Sequence, residues 1–188
     1  MNAAPAFKEW QAIVGALVAG EQVIILRKGG IAEEHGTFTV AAPRFWLFPT
    51  AFHAQREKTK PSMHRYFAPG PSGAANRIEL PAYADVVQAR FLSHWSDVAR
   101  LDGFHGWTES TVRDRFHGAA PPGLHVLVVR VHRLHTPVAI DVTPAMGGCK
   151  SWTDVPPAFA DHPASPVLDD ATFAARVAAL GLGPAPMR

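Results

Sequence analysis

The sequence predicts an α+β fold, a small, mainly antiparallel and partly open β-barrel with peripheral helices. Three observations carry this. Short apolar runs recur through residues 23–48 with no helix between them. The strongest run, Leu124 to Leu134, is apolar on both faces at Val126 to Val129, as in a central strand. Helical periodicity is confined to the two ends and one middle segment, so the regular strand–helix alternation of a doubly wound parallel sheet is missing.

The elements follow in order. Phe7, Trp10, Ile13, Val14, Leu17 and Val18 recur at spacings of three and four, which predicts an amphipathic helix between Pro5 and Gly20. Val23 to Leu26 reads as a buried strand, followed at once by Arg27-Lys28-Gly29-Gly30. Thr37 to Val40 and Phe45 to Phe48 are two further strands, the second ended by Pro49. Residues 53–76 are polar and turn-rich, a surface excursion with room for one helical turn. Loops of that length are functional or mobile. A second β region opens near Ile78 and includes Asp85 to Phe91. Thr108 caps a helix through Val112 to Phe116, with Glu109 suited to its first turn. After the long strand, Thr136-Pro137 reads as a break before Val138 to Val142. Asp169 caps a last helix through Leu180. The expected organisation is one barrel-like unit over 1–152, with 153–188 as a proline-rich linker and a helix docked on the same domain.

Composition bounds the function. The 188 residues are 47% hydrophobic and 18% charged, enough for a core and unlike a disordered chain. No apolar run approaches the ~20 residues that span a bilayer. Residues 1–20 lack the order of a secretory leader, so a cytoplasmic location is expected. One cysteine excludes an internal disulfide framework and a CxxC site. Thirteen of the 18 basic residues are arginine, suited to phosphate or carboxylate, although the net charge is only +2.

Four motifs could carry chemistry. Arg27-Lys28-Gly29-Gly30 places two cations before two glycines at a strand end, where backbone amides can cradle an anion; taken alone it reads more simply as a basic hairpin turn. It fits neither GxxxxGK[ST] nor GxGxxG. In Phe45-Trp46-Leu47-Phe48-Pro49-Thr50 both strand faces are bulky. One must pack the core, and the other could stack a base through Trp46 or Phe48, with Thr50, His53 and Gln55 reading its edge. In Gly147-Gly148-Cys149-Lys150-Ser151-Trp152, Cys149 reads as a small buried residue in a tight turn, while Lys150 and Ser151 suit an anion. Arg113-Asp114-Arg115-Phe116-His117 reads as a salt-bridged helix face with Phe116 inward. Paired carboxylates in facing geometry are not evident: Glu33/Glu34 and Asp169/Asp170 are neighbours in sequence. His35, His53 and His64 lack metal-ligand spacing, so neither metal nor cofactor is expected.

With Phe7-Lys8-Glu9-Trp10, Leu26 to Ile31, Phe45 to Thr50 and Gly148 to Trp152 in that order, the chain resembles the prokaryotic family named domain of unknown function 1802. That resemblance brings no activity with it. A helix ending in Gly20-Glu21-Gln22 and a strand ending in Arg27-Lys28 are similar to the opening of ASCH domains, with Gln22 in place of a lysine and Leu26 in place of a glutamate. His132 to Val138 resembles the closing strand of EVE-like domains. Both belong to the PUA-like group, so the resemblance implies a PUA-like pseudobarrel of the kind that often binds RNA or modified bases.

The reading that follows is a binder of RNA, DNA or a nucleotide. Arg27 and Lys28 would hold phosphate, Gly29 and Gly30 would allow close approach, and Lys150 and Ser151 would close the site if the Gly147-Gly148 turn folds back near it. The alternative is a nuclease or other hydrolase using the same cations, with Glu33, Glu34 or His53 as base or metal ligand. It requires a carboxylate that converges on the Arg-Lys pair.

Overall fold

The computed structural model describes residues 3–28, 33–34, 37–38, 42–51, 54–67, 77–118, 120–148, 150–156 and 158–183, with backbone only at 33–34 and 37–38. In chain order the elements are β1 (Ala4–Trp10), α1 (Gln11–Val18), β2 (Ile24–Arg27), β3 (Glu33–Glu34), β4 (Thr37–Phe38), β5 (Arg44–Thr50), α2 (Gln55–Lys58), β6 (Arg77–Leu92), α3 (Trp95–Ala99), α4 (Glu109–His117), β7 (Leu124–Asp141), β8 (Trp152–Val155), β9 (Ala164–Pro166) and α5 (Asp170–Ala179). A 3₁₀ turn over Pro61–Tyr66 follows α2.

Among the described residues, one seven-stranded sheet runs β2-β7-β6-β5-β1-β8, with β9 also on β7. Only β1–β5 is parallel; the other pairings in this sheet are antiparallel. The α+β class and the open, mainly antiparallel sheet are therefore as expected. No helix among the described residues is long and apolar enough to cross a membrane.

Alternation divides the side chains between two cores. Phe45 and Leu47 of β5 join Phe7 of β1 on the face covered by α1, α4 and α5. Trp46 and Phe48 join Ala4, Ala6, Leu80 and Met146 on the other face. On that second face, outside the core, Arg44 grips Asp85 with two hydrogen bonds of 2.6 and 2.9 Å.

Several expectations need correction. The helix expected from Phe7 begins only at Gln11, because residues 4–10 pair with β5 and β8. Phe7 and Trp10 thus belong to a strand that abuts a helix, and the two together mimic one longer helical stripe. Pro49 lies inside β5, opposite Glu9. Thr136-Pro137 does not end β7; the β6–β7 ladder shifts register between Leu80 and Ala82, so Pro81 and Pro137 fall where the ladder is already irregular. The stretch expected as a linker carries β8 and β9, and α5 buries Phe173 against the main core.

Helix ends follow local chemistry. Thr108 and Asp169 accept hydrogen bonds from Thr111 N and Thr172 N. The α1 terminus is a Schellman turn: Glu21 N donates to Ala16 O at 3.0 Å and Gly20 N to Leu17 O at 3.1 Å. Gly20 sits at φ +74°, and a Cβ there would lie 2.8 Å from Leu168 Cδ2. The left-handed conformation favours glycine, and the C-terminal segment packs closely against it.

Candidate functional site at the sheet seam

The sheet order leaves β2 at one end and β8 at the other, with no ladder between them. Side chains join the two ends. The Arg27 Nη2 at the end of β2 donates to Ser151 Oγ, just before β8. Its guanidinium lies 4.7 Å from the Phe7 ring centroid, and its Nη1 is 3.8 Å from Glu9 Oε2. Phe7 and Glu9 project from the same face of β1, two residues apart, so one strand supplies both the apolar support and the counter-charge.

Glu9 is 1% exposed. Its Oε1 accepts from Trp10 N at 2.7 Å, while its Oε2 is buried with no hydrogen bond among the described residues. Arg115 of α4 completes the cluster. Its guanidinium is 4.9 Å from the Trp10 ring and 4.8 Å from the Trp107 ring, with Nη1 3.5 Å from Leu26 O. Burial holds the Arg115 guanidinium below its ordinary range, with Glu9 opposing that shift and Arg27 adding to it. An arginine remains charged in such surroundings. Among the described residues, the seam therefore sets two guanidinium groups against one carboxylate, surrounded by aromatic rings. Such an arrangement can accept an anion, and it holds a sheltered carboxylate beside the cations.

The sequence-predicted residues divide. Arg27 and Ser151 meet directly. Lys28 is exposed, its amine reaching the end of α4 beside Gly118. Lys150 is exposed next to Ser151. Thr50 and Gln55 lie at the end of β5, beside β1: Thr50 Oγ1 donates to Glu9 O at 3.1 Å, and Gln55 Nε2 donates to Thr50 O at 2.6 Å. Gln55 is 1% exposed, and its Oε1 has no hydrogen-bond partner among the described residues. Gly29, Gly30, His53 and Cys149, and the side chains of Glu33 and Glu34, lie outside the described residues.

The stacking platform expected from Trp46 and Phe48 is corrected. Trp46 is fully buried and stacks on Phe159 at 5.0 Å, and Phe48 is buried in the same core. Each face of β5 packs a core, so neither face is left for a base. The aromatic surroundings of the cations are instead Phe7, Trp10 and Trp107. His64 Nε2 contacts Arg56 O at 2.9 Å; His35 and His53 lie outside the described residues. A small cleft lined by Leu17, Gly20, Gln22, Val129, Leu168 and Phe173 among others sits at the opposite end of α1 from Trp10.

Sequence reasoning missed Glu9 and Arg115. The signal for Glu9 was a Lys-Glu pair inside an apolar segment that is a strand. Lys8 faces the other way, where its ammonium caps the carbonyls of Met146, Gly147 and Gly148 at 2.7–3.2 Å. Arg115 lies on the helix read as a salt-bridged face. Arg113 does pair with Glu109 at 2.6 Å in the open, and Phe116 is buried, but Arg115 turns inward between them.

No curated protein matches the chain. Among solved structures, the crystal structure of ASCH from Zymomonas mobilis is 14% identical, covers 81% of this chain and 87% of its own, and gives a TM-score of 0.48. Two mutant forms of ZmASCH from the same organism give 0.45 at 15% identity, covering 71% and 72%, and 0.46 at 14%, covering 81% and 89%. These are proteins of the group that the sequence resemblance named; on such values nothing about ligand or chemistry is taken from them. The family model for the domain of unknown function DUF1802 matches residues 6–179, from β1 to the last turn of α5, and the chain belongs to that family.

Proposed function

We propose that the chain binds a phosphate-bearing ligand, a nucleotide or nucleic acid, at the seam between β2 and β8. The observation that carries this is the excess of guanidinium over carboxylate there among the described residues: Arg27 and Arg115 against Glu9. A phosphate offers the planar, bidentate acceptor that arginine prefers and balances the spare charge. In this reading Arg27 and Ser151 hold the phosphate. Lys28 and Lys150 add charge at the rim, and the amides of Gly29 and Gly30 allow close approach. Gln55 and Thr50 lie on the side where a base or sugar edge would be read, with His53 as a third contact. Trp46 and Phe48 drop out, since their rings pack the core.

A second reading has its own support. Glu9 presents a buried carboxylate oxygen, without a hydrogen bond among the described residues, 3.8 Å from Arg27, the convergent carboxylate that hydrolysis of a phosphorylated or nucleic-acid substrate would need.

Titration calorimetry with AMP and with a short RNA tests the proposal, on the native chain and on Arg27→Gln and Arg27→Lys. Binding should be lost in Arg27→Gln and partly kept in Arg27→Lys, with both variants checked by circular dichroism. Equal affinity in native and folded Arg27→Gln protein would remove the seam as the site. Product formation from the RNA would favour the hydrolase.

A further inference from the structure

The segment from α2 through the 3₁₀ turn, residues 55–66, carries Arg56, Lys58, Lys60 and Arg65 against Glu57 alone. Its charge is thus +3, where the whole chain carries +2. The segment lies along α1: Met63 packs with Ala12 and Ala16, and Tyr66 closes on Gly15, where a Cβ would be 2.6 Å from the ring. One end is at the seam, where Gln55 Nε2 bonds Thr50 O. At the other end Arg65 pairs with Glu21, beyond the last turn of α1.

Two more arginines gather at that far end. Arg133 Nη2 donates to Val18 O, and Arg176 Nη1 donates to Glu21 O at 3.0 Å. Arg65, Arg133 and Arg176 are all exposed, and Glu21 is the one carboxylate that pairs with them among the described residues. Lys60 is paired with Asp102, while Arg56 and Lys58 are exposed and take part in no ion pair among the described residues. Aromatic surface accompanies the charge: Phe67 lies under the Arg56 guanidinium at 5.0 Å and beside His64 at 5.7 Å.

We infer that this ridge is a track for the backbone of a single-stranded nucleic acid, running from the seam along α1 to the arginine cluster at residues 18–21. The inference rests on the seam reading and makes its ligand a polymer. The eight residues of α1 are about 12 Å long, so the track from seam to cluster needs at least about three or four stacked nucleotides. A mononucleotide would fill the seam and leave the ridge empty. Partly exposed rings interleaved with cations suit unpaired bases and their phosphates better than a duplex.

The test is fluorescence anisotropy with 3-, 6- and 12-nucleotide single strands of RNA and of DNA, and AMP as competitor. Native protein is compared with Arg56→Ala/Lys58→Ala, Arg133→Ala/Arg176→Ala and Arg27→Gln, each checked for folding. The 12-mer should bind at least about tenfold tighter than the 3-mer. Arg56→Ala/Lys58→Ala should weaken the 12-mer about fivefold or more and leave AMP unchanged. Losing two phosphate contacts should also lower the salt slope by about 1.4, so that affinity falls about sevenfold less between about 50 and about 200 mM salt. Because Arg133 and Arg176 also tie the fold together, the Arg56/Lys58 pair decides. No length dependence, or an unchanged 12-mer affinity in folded Arg56→Ala/Lys58→Ala with AMP still bound, would overturn the ridge and leave the seam standing. Loss of the 12-mer in that variant, with no effect of Arg27→Gln, would support the ridge and remove the seam. A folded protein that binds neither AMP nor any strand overturns both.

Discussion

Glu9→Gln separates what holds the seam together from what the seam is for. The substitution keeps an acceptor for Trp10 N, now 2.7 Å from Glu9 Oε1, and removes only the charge. At 3.8 Å the Arg27–Glu9 attraction is about 4 kcal/mol at an effective dielectric of about 20, and desolvation of the buried carboxylate offsets a large part of it. A net loss of about 1–3 kcal/mol in urea unfolding is expected. Binding should move the other way. Among the described residues, the two guanidinium groups would then face no carboxylate, and a phosphate held by Arg27 would lie roughly 6–7 Å from where the charge had been. Removing that repulsion is worth between about 0.6 and about 2.6 kcal/mol across effective dielectrics of about 80 to about 20, so AMP affinity should rise about tenfold. Calorimetry and urea unfolding on one preparation measure both quantities. A folded Glu9→Gln protein that binds AMP more weakly would refute this reasoning, because the carboxylate would then contact the ligand rather than oppose it. Tighter binding with turnover abolished would assign Glu9 to the hydrolase reading.

Three other outcomes are expected. Trp46→Leu removes a fully buried ring from the second core and should cost about 2–4 kcal/mol in urea unfolding while AMP affinity per folded molecule stays unchanged; a selective loss of affinity would return Trp46 to the site. Burial, with Lys60 adding to it, pushes the His105 imidazole down to about 4. The unfolded chain therefore takes up this proton first, and stability falls from about pH 6.5 to about pH 4, by about 3 kcal/mol in total. His105→Gln should flatten that limb of the stability profile, and an unchanged limb would show that other groups govern it. Gly20→Ala imposes a side chain at φ +74° and a contact with Leu168, and should cost about 1–2 kcal/mol. Leu168→Ala in the same chain should relieve only the contact, and full recovery would mean that the backbone conformation carries no cost.

How far the sequence could be read depends on whether a signal is local. The strand at Ile24 to Arg27 and the caps Thr108 and Asp169 were legible because a β-branched run and a capping side chain act within a few residues. The β1–α1 junction was not, because Phe7 and Trp10 keep helical spacing with Ile13 and Leu17, and only the pairing of β1 with β5 and β8, tens of residues away, makes it a strand. The platform at Trp46 failed for the same kind of reason. Alternation shows that a strand has two faces, but the second face is covered by Met146 and Phe159, about a hundred residues later. The meeting of Arg27 with Ser151 was conditional on a turn folding back. It does so because β8 pairs with β1 and leaves Ser151 at the open edge opposite β2. Glu9 and Arg115 were hidden more deeply. A charged residue in a strand and a charged residue on a helix each read as solvated, and what makes them a pair is the curl of a sheet that brings its first and last strands within side-chain reach without joining them. An open sheet leaves a place where charged side chains, rather than backbone hydrogen bonds, close the structure. Those same side chains are then held ready for an anion, which is why the seam, and not the predicted aromatic strand, is where binding is proposed.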